Sequence, residues 1–259
     1  MPGAAQRILD RYFVSGGKGA EDRFTLSSMR RANPSRHVEE LLVAANFVEV
    51  HLAKEGHAGP VGINYLEKVQ APTLPSLYGA MLAGVDYVLM GAGIPKAIPA
   101  VLDDLAMGNP VELRLDVKGA TEEDAFRARF DPAAVMGGHT SSATRPAFLA
   151  IVSSHVLAVM LATKIDSPPD GFIVEAPTAG GHNAPPRGKR QLNEAGEPVY
   201  GDRDVPDLTV IAKLGLPFWL AGGYAHPDRV RQALELGATG VQVGTPFAYC
   251  EESGFDPDV

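Results

Sequence analysis

The chain has 259 residues, 45% hydrophobic and 21% charged, which is enough apolar material for a full core beneath a solvated surface. Lys and Arg number 23 against 31 Asp and Glu, a net charge of -8, so nucleic acid and anionic membrane are disfavoured as partners and any bound anion must be held by local groups. The single cysteine, Cys250, reads as a small core or rim residue and excludes internal disulfides and cysteine-rich metal sites. No apolar run approaches a membrane span and no signal-peptide layout opens the chain, so a cytoplasmic protein is expected.

Residues 1–34 are mixed, Gly-rich and charged, without a strong strand pattern, and read as an irregular segment ahead of one domain over 35–259. That domain opens on a helix: after Asn33-Pro34-Ser35, the residues Val38, Leu41, Leu42, Ala45, Val48 and Leu52 fall at helical spacing. Apolar, β-branched runs bounded by Gly or Pro then recur at Val61-Asn64, Asp86-Met90, Phe148-Val152, Phe172-Glu175, Phe218-Ala221 and Val241-Val243. Between several of them lie helical faces: Leu74, Leu77, Tyr78, Met81 and Leu82; Val156, Leu157, Met160 and Leu161; Val230, Ala233, Leu234 and Leu236. Paired strand starts lie about 24 residues apart, the length of a compact strand-helix unit, and such alternation means a parallel sheet flanked by helices. Two stretches interrupt it and read as insertions on a barrel rim. One spans about 108–145, with a possible short strand at Val111-Val117; the other, polar and Pro/Gly-rich, spans 183–205 and suits a lid. A closed (β/α)8 barrel needs eight strands and only about six core strands are legible, so the expectation is an incomplete barrel: a fragment, a truncated gene product, or one completed by another copy.

The chemistry concentrates at strand ends. Gly171-Phe-Ile-Val-Glu-Ala-Pro-Thr-Ala-Gly-Gly-His182 is a buried-looking strand ending in two glycines and a histidine. Pro217-Phe-Trp-Leu-Ala-Gly-Gly223 and Gly240-Val-Gln-Val-Gly-Thr245 likewise end in glycine just before a helix start, with Pro227 and Pro246 suited to the first helical turn. Tight strand-helix turns need glycine whatever they bind. Three such ends together, however, gather free N–H donors beside helix N-termini, the usual way to hold a phosphate. Thr245 could cap a helix ahead of Pro246 and donate to a phosphate oxygen. The remaining histidines (His37, His51, His57, His139, His155 and His226) read as surface or turn residues, with His155 after Ser153-Ser154 the one best placed to touch a ligand. Gly91-Ala-Gly93 lacks the third glycine of a dinucleotide turn, and no Walker loop, metalloprotease helix or nucleophile elbow is present.

In this order, Val61-Gly-Ile-Asn64, Ala179-Gly-Gly-His182, Ala221-Gly-Gly223 and Val241-Gln-Val-Gly-Thr245 resemble the flavin-dependent nitronate monooxygenases, formerly 2-nitropropane dioxygenases. The resemblance runs from about Arg36 to the end. It implies a TIM barrel carrying FMN at the carboxyl ends of its strands, with a small nitronate or nitroalkane and O2 as partners; the incomplete barrel separately leaves a homo-oligomer possible. The resemblance further implies that Asn64 contacts the flavin, that Glu175 stands at a flavin-contact position where many members carry Gln, and that Gly180 and Gly181 line the flavin ring. Gly222, Gly223, Gln242, Val243, Gly244 and Thr245 would belong to the phosphate end. His182 would be the catalytic base, an imidazole suited to taking an acidic α-proton and then steadying the anion. Members begin with two strands that have no counterpart here, so weak flavin binding by this polypeptide alone is expected. Two alternatives stand beside this reading: a flavin-dependent enoyl reductase acting on thioesters, and an inactive remnant that binds no flavin.

Overall fold

The structure, a computed structural model, describes residues 1, 3–28, 31–121, 123–139, 143–180 and 184–256. It divides into two compact units, Met1–Val88 with Ala97–Pro146 and Leu89–Lys96 with Ala147–Val259.

The first unit opens on α1 (Ala4–Tyr12) and α2 (Arg36–Ala53). α1 was not legible in the sequence because its one fully buried residue is Ala4. A distant ion pair holds it instead: Glu40 on α2 is only 2% exposed and accepts from Arg7 at 2.6 Å and from Arg36 at 2.9 Å. α2 begins directly after Ser35, as the Asn-Pro-Ser signal predicts, but buries Val38, Leu42, Val43 and Val50 while Val48 and Leu52 stay exposed. The helix carries two apolar faces, and only one of them meets α3 (Thr73–Leu82). α3 is buried along nearly its whole length and packs on α2 closely enough that Gly79 faces the backbone of Val43.

β1 (Gly62–Leu66) lies beside the start of β2 (Tyr87–Gly91), where the carbonyl of Val61 accepts from Asp86 N at 2.8 Å and Tyr87 N at 3.2 Å. Asp86 in turn accepts from Lys54 Nζ at 2.6 Å and Val61 N at 2.8 Å, and these donors hold its carboxyl below the usual carboxylate range. After α4 (Ile98–Ala106), the first insertion contains an antiparallel pair, β3 (Val111–Arg114) with β4 (Arg127–Phe130), and a single turn, α5 (Pro132–Val135). The short strand expected at Val111-Val117 is therefore present, ending at Arg114.

In the second unit the end of β2 is followed across the sheet by β5 (Ala147–Val152), β6 (Gly171–Glu175), β7 (Phe218–Ala221) and β8 (Gly240–Gln242). β5 to β8 run parallel. Phe148, Phe172 and Phe218 are almost wholly buried, as expected of parallel strands covered on both faces. Between the strands stand α6 (His155–Thr163), α7 (Leu208–Ala212), α8 (Pro227–Glu235) and, after β8, the one-turn α9 (Thr245–Ala248). Their starts follow local chemistry: Ser154 accepts from Leu157 N, Asp207 from Thr209 N and Val210 N, and Pro227 occupies the first turn of α8. The helical stripes read from the sequence are only partly buried. α6 turns Ala158 and Leu161 inward and leaves Val156 out, while α8 buries Ala233 and exposes Leu234.

Strand order in the sheet, β1-β2-β5-β6-β7-β8, follows chain order without reversal. A doubly wound sheet reverses at a switch point, whereas each new strand of a TIM barrel is laid beside its predecessor. The fold is α/β and of the (β/α)8 type, with six of eight barrel strands in the sheet among the described residues. No helix among the described residues is long and apolar enough to cross a membrane.

Candidate functional site

The register of the second unit builds the site. Glu175 pairs with Ala221 and Ala221 with Gln242, so β6, β7 and β8 end level with one another, and the residues that follow emerge from one edge of the sheet. They enclose a cavity of about 640 Å3, within the range of cofactor pockets. Its walls come from Glu175 and the 178–180 turn after β6, from Gly222 to His226 after β7, and from Gln242 to Pro246 after β8, with Tyr249 at the rim.

Backbone geometry lets these turns approach each other. Gly222 has φ +102, and a Cβ there would stand 2.8 Å from Ala179 N and 3.0 Å from Thr178 Oγ1. A Cβ on Gly180 would stand 2.5 Å from Thr245 Oγ1. The N–H groups of Gly222, Gly223 and Gly244 bond no described residue, nor can the first N–H of α9 bond within its own helix. Gly223 and Gly244 are exposed and Gly222 is half-buried, so these donors are open to a ligand, and unbonded amides gathered on one cavity wall suit an anionic group. α9 is a single turn, so its dipole adds little; the donors themselves are the local means of holding an anion in a chain of net charge -8.

Of the residues singled out from the sequence, Glu175, Gly180, Gly222, Gly223, Gln242, Val243, Gly244 and Thr245 all line this one cavity. Gly181 and His182 lie outside the described residues. Asn64 sits exposed in β1, in the other unit. Thr245 does not cap α9. Gly244 holds the cap position and Thr245 is the first helical residue, which frees its hydroxyl to face Gly180 and the cavity. The sequence reading passed over Thr178, Tyr224, His226 and Tyr249, all of which line the cavity. A signal existed for one of them: His226 directly precedes Pro227 at a helix start, and its Nδ1 accepts from Asp228 N at 3.2 Å.

Glu175 also borders a smaller recess formed with Ser153, Arg187, Tyr200 and Asp204. The second insertion folds back here. Both Asp204 oxygens accept amides, from Arg187 at 2.7 Å and Gly201 at 2.8 Å, while Tyr200 donates to the Ala184 carbonyl at 3.0 Å and Arg187 Nη2 to the Ser153 carbonyl at 3.1 Å. The two amides hold the Asp204 carboxyl below the usual carboxylate range. His155 Nδ1 accepts from Asp207 N at 3.1 Å, a structural bond that anchors the chain leaving this insertion.

Burial pushes the Glu175 carboxyl above its ordinary range, and no described side chain is hydrogen-bonded to it to offset that. Because the folded state disfavours the charged form, the penalty is absent at pH values below the unfolded carboxylate range and grows as pH rises through the folded value. Glu175→Gln is therefore expected to match the wild type in acid and to exceed it near neutral pH, by no more than about 1 kcal/mol. Urea midpoints measured from pH 4 to 8 test this; a variant that loses stability at neutral pH would show that the carboxylate has a stabilising partner.

A family model for nitronate monooxygenase matches residues 118–258, more than half of the chain. The chain belongs to the nitronate monooxygenase family. The match takes in the three strand ends that form the cavity, so membership of this family of oxidoreductases rests on the part of the chain that carries the site. A nitronate monooxygenase from Pseudomonas aeruginosa is 35% identical over 88 residues, which cover 32% of this chain and 22% of that protein. The solved structure of FabK from Thermotoga maritima superposes with a TM-score of 0.47 at 19% identity, over 82% of this chain and 56% of that one.

Proposed function

We propose that this chain binds FMN in the cavity at the ends of β6, β7 and β8 and oxidises small nitronates or nitroalkanes with O2. The observation that carries the reading is the level ending of Glu175, Ala221 and Gln242, which brings unbonded glycine amides to a cavity of cofactor size in a member of this family. The residues present suit a phosphate-bearing group: Gly222, Gly223 and Gly244 offer amides, and the Thr245 hydroxyl lines the wall beside Gly180. When bound, the flavin supplies the redox chemistry that side chains cannot. The chain's own part would be to hold the phosphate through the glycine amides, to border the flavin with Glu175 and Gly180, and to manage the substrate proton. His182 takes that last role in this proposal, accepting the acidic α-proton at an imidazole nitrogen and then donating to the resulting anion.

The purified protein is expected to acquire the flavin absorbance spectrum on incubation with FMN and to take up oxygen when a nitronate is added. His182→Ala is expected to keep the flavin and lose about 100-fold or more in turnover of a neutral nitroalkane, the scale of general base catalysis. Equal uptake by both proteins would remove His182 from the mechanism. Bleaching by NADH without nitroalkane would favour an enoyl reductase, and a folded protein that takes up no flavin would end the flavin reading.

A further inference from the structure

We propose that His226 is a ligand-binding residue whose Nε2–H donates to the phosphate of the flavin placed in this cavity, an inference that rests on the function proposed above. Among the described residues that line the cavity there is no Lys or Arg, and His226 is its one imidazole. Its tautomer follows from its backbone bond. Nδ1 accepts from Asp228 N at 3.2 Å, with the Asp228 carboxylate 3.7 Å away, and the shorter bond from the backbone N–H assigns the lone pair to Nδ1 and the proton to Nε2. The same bond fixes the ring at the start of α8, two residues beyond the Gly222-Gly223-Tyr224 wall. Nε2 has no hydrogen-bond partner among the described residues. The imidazole thus spends one nitrogen on capping a helix and leaves the other without a described partner, on a largely exposed side chain of the cavity that Gly222 and Gly223 also line.

A purely capping role and a phosphate-binding role make different predictions, because serine is as good a cap as most side chains yet carries no imidazole N–H. The experiment compares wild type and His226→Ser for binding of FMN and of riboflavin, which lacks the phosphate, alongside thermal unfolding of the ligand-free proteins. The expected result is FMN binding weakened about tenfold, riboflavin binding within about twofold and an unchanged unfolding midpoint, the scale of one lost charge-assisted hydrogen bond. FMN binding that does not change, or FMN and riboflavin binding that weaken together, overturns the role of His226 and leaves the flavin site standing. Wild-type protein that binds FMN no better than riboflavin also overturns it, since the cavity would then have no phosphate end. A wild type that binds neither flavin removes the functional reading and this inference with it.

Discussion

Gly222→Ala should leave a folded protein that has lost most of its affinity for flavin, by roughly 100-fold, together with about 1–3 kcal/mol of stability. Two costs combine. With φ at +102 the residue sits where an L side chain is strained, and its new methyl group would stand 2.8 Å from the backbone nitrogen of Ala179 and 3.2 Å from Ala176 Cβ. Neither neighbour is the far end of a flexible side chain, so the turn after β6 has to move, and it carries Thr178 and Gly180 of the cavity wall with it. Two controls separate strain from collision. Gly223 has φ +77 but its nearest neighbour would be 3.8 Å away, so Gly223→Ala should cost about 1 kcal/mol from backbone strain alone. Gly244 has an ordinary φ of -123 and open space around it, so Gly244→Ala should leave the unfolding midpoint almost unchanged. The descending order of destabilisation, 222 then 223 then 244, is what urea titration would read. If all three lose stability equally, the walls of the cavity are not in the contact described.

The parts of this architecture that declare themselves in the sequence are those whose environment is set by their own neighbours along the chain. Phe172-Ile-Val is buried throughout and Phe218-Trp-Leu at its Phe and Leu, so they read as continuous apolar runs, and the Gly and Pro residues that bound them mark their ends. Elements defined by remote partners stayed hidden. β4 is Arg-Ala-Arg-Phe, unremarkable until it is laid against β3, where Glu112 faces Arg129 and accepts from Arg127 at 2.6 Å. α1 depends on Glu40, thirty-odd residues away, as the buried acceptor of Arg7. The apolar stripes misjudged Val48, Val156 and Leu234 for a related reason: periodicity locates apolar faces but does not say which of two meets a neighbour. At the site, the glycines were legible because a strand-helix turn and a close approach both demand them. Tyr224 and His226 were not, since a loop side chain points wherever its turn directs it, and that direction is a property of the fold.

Gly79→Ala tests the packing of the first unit through the sign of its effect. In a solvent-facing helix interior the same change adds helix propensity and stabilises by about 0.5–1 kcal/mol. Here the methyl group would stand 2.3 Å from the carbonyl oxygen of Val43 and 2.9 Å from its Cα, and Val43 is itself fully buried in α2. Relief requires α3 to retreat from α2, and that separation would open voids around Leu77 and Tyr78, neither of which has any solvent exposure. The expected outcome is a loss of about 3 kcal/mol or more, seen as a lower urea midpoint with the slope unchanged. Gly84, at φ +74 with no neighbour within 4 Å, provides the comparison: alanine there should cost about 1 kcal/mol through the backbone alone. A Gly79→Ala protein as stable as the wild type, or more so, would mean that α2 and α3 do not cross at this glycine.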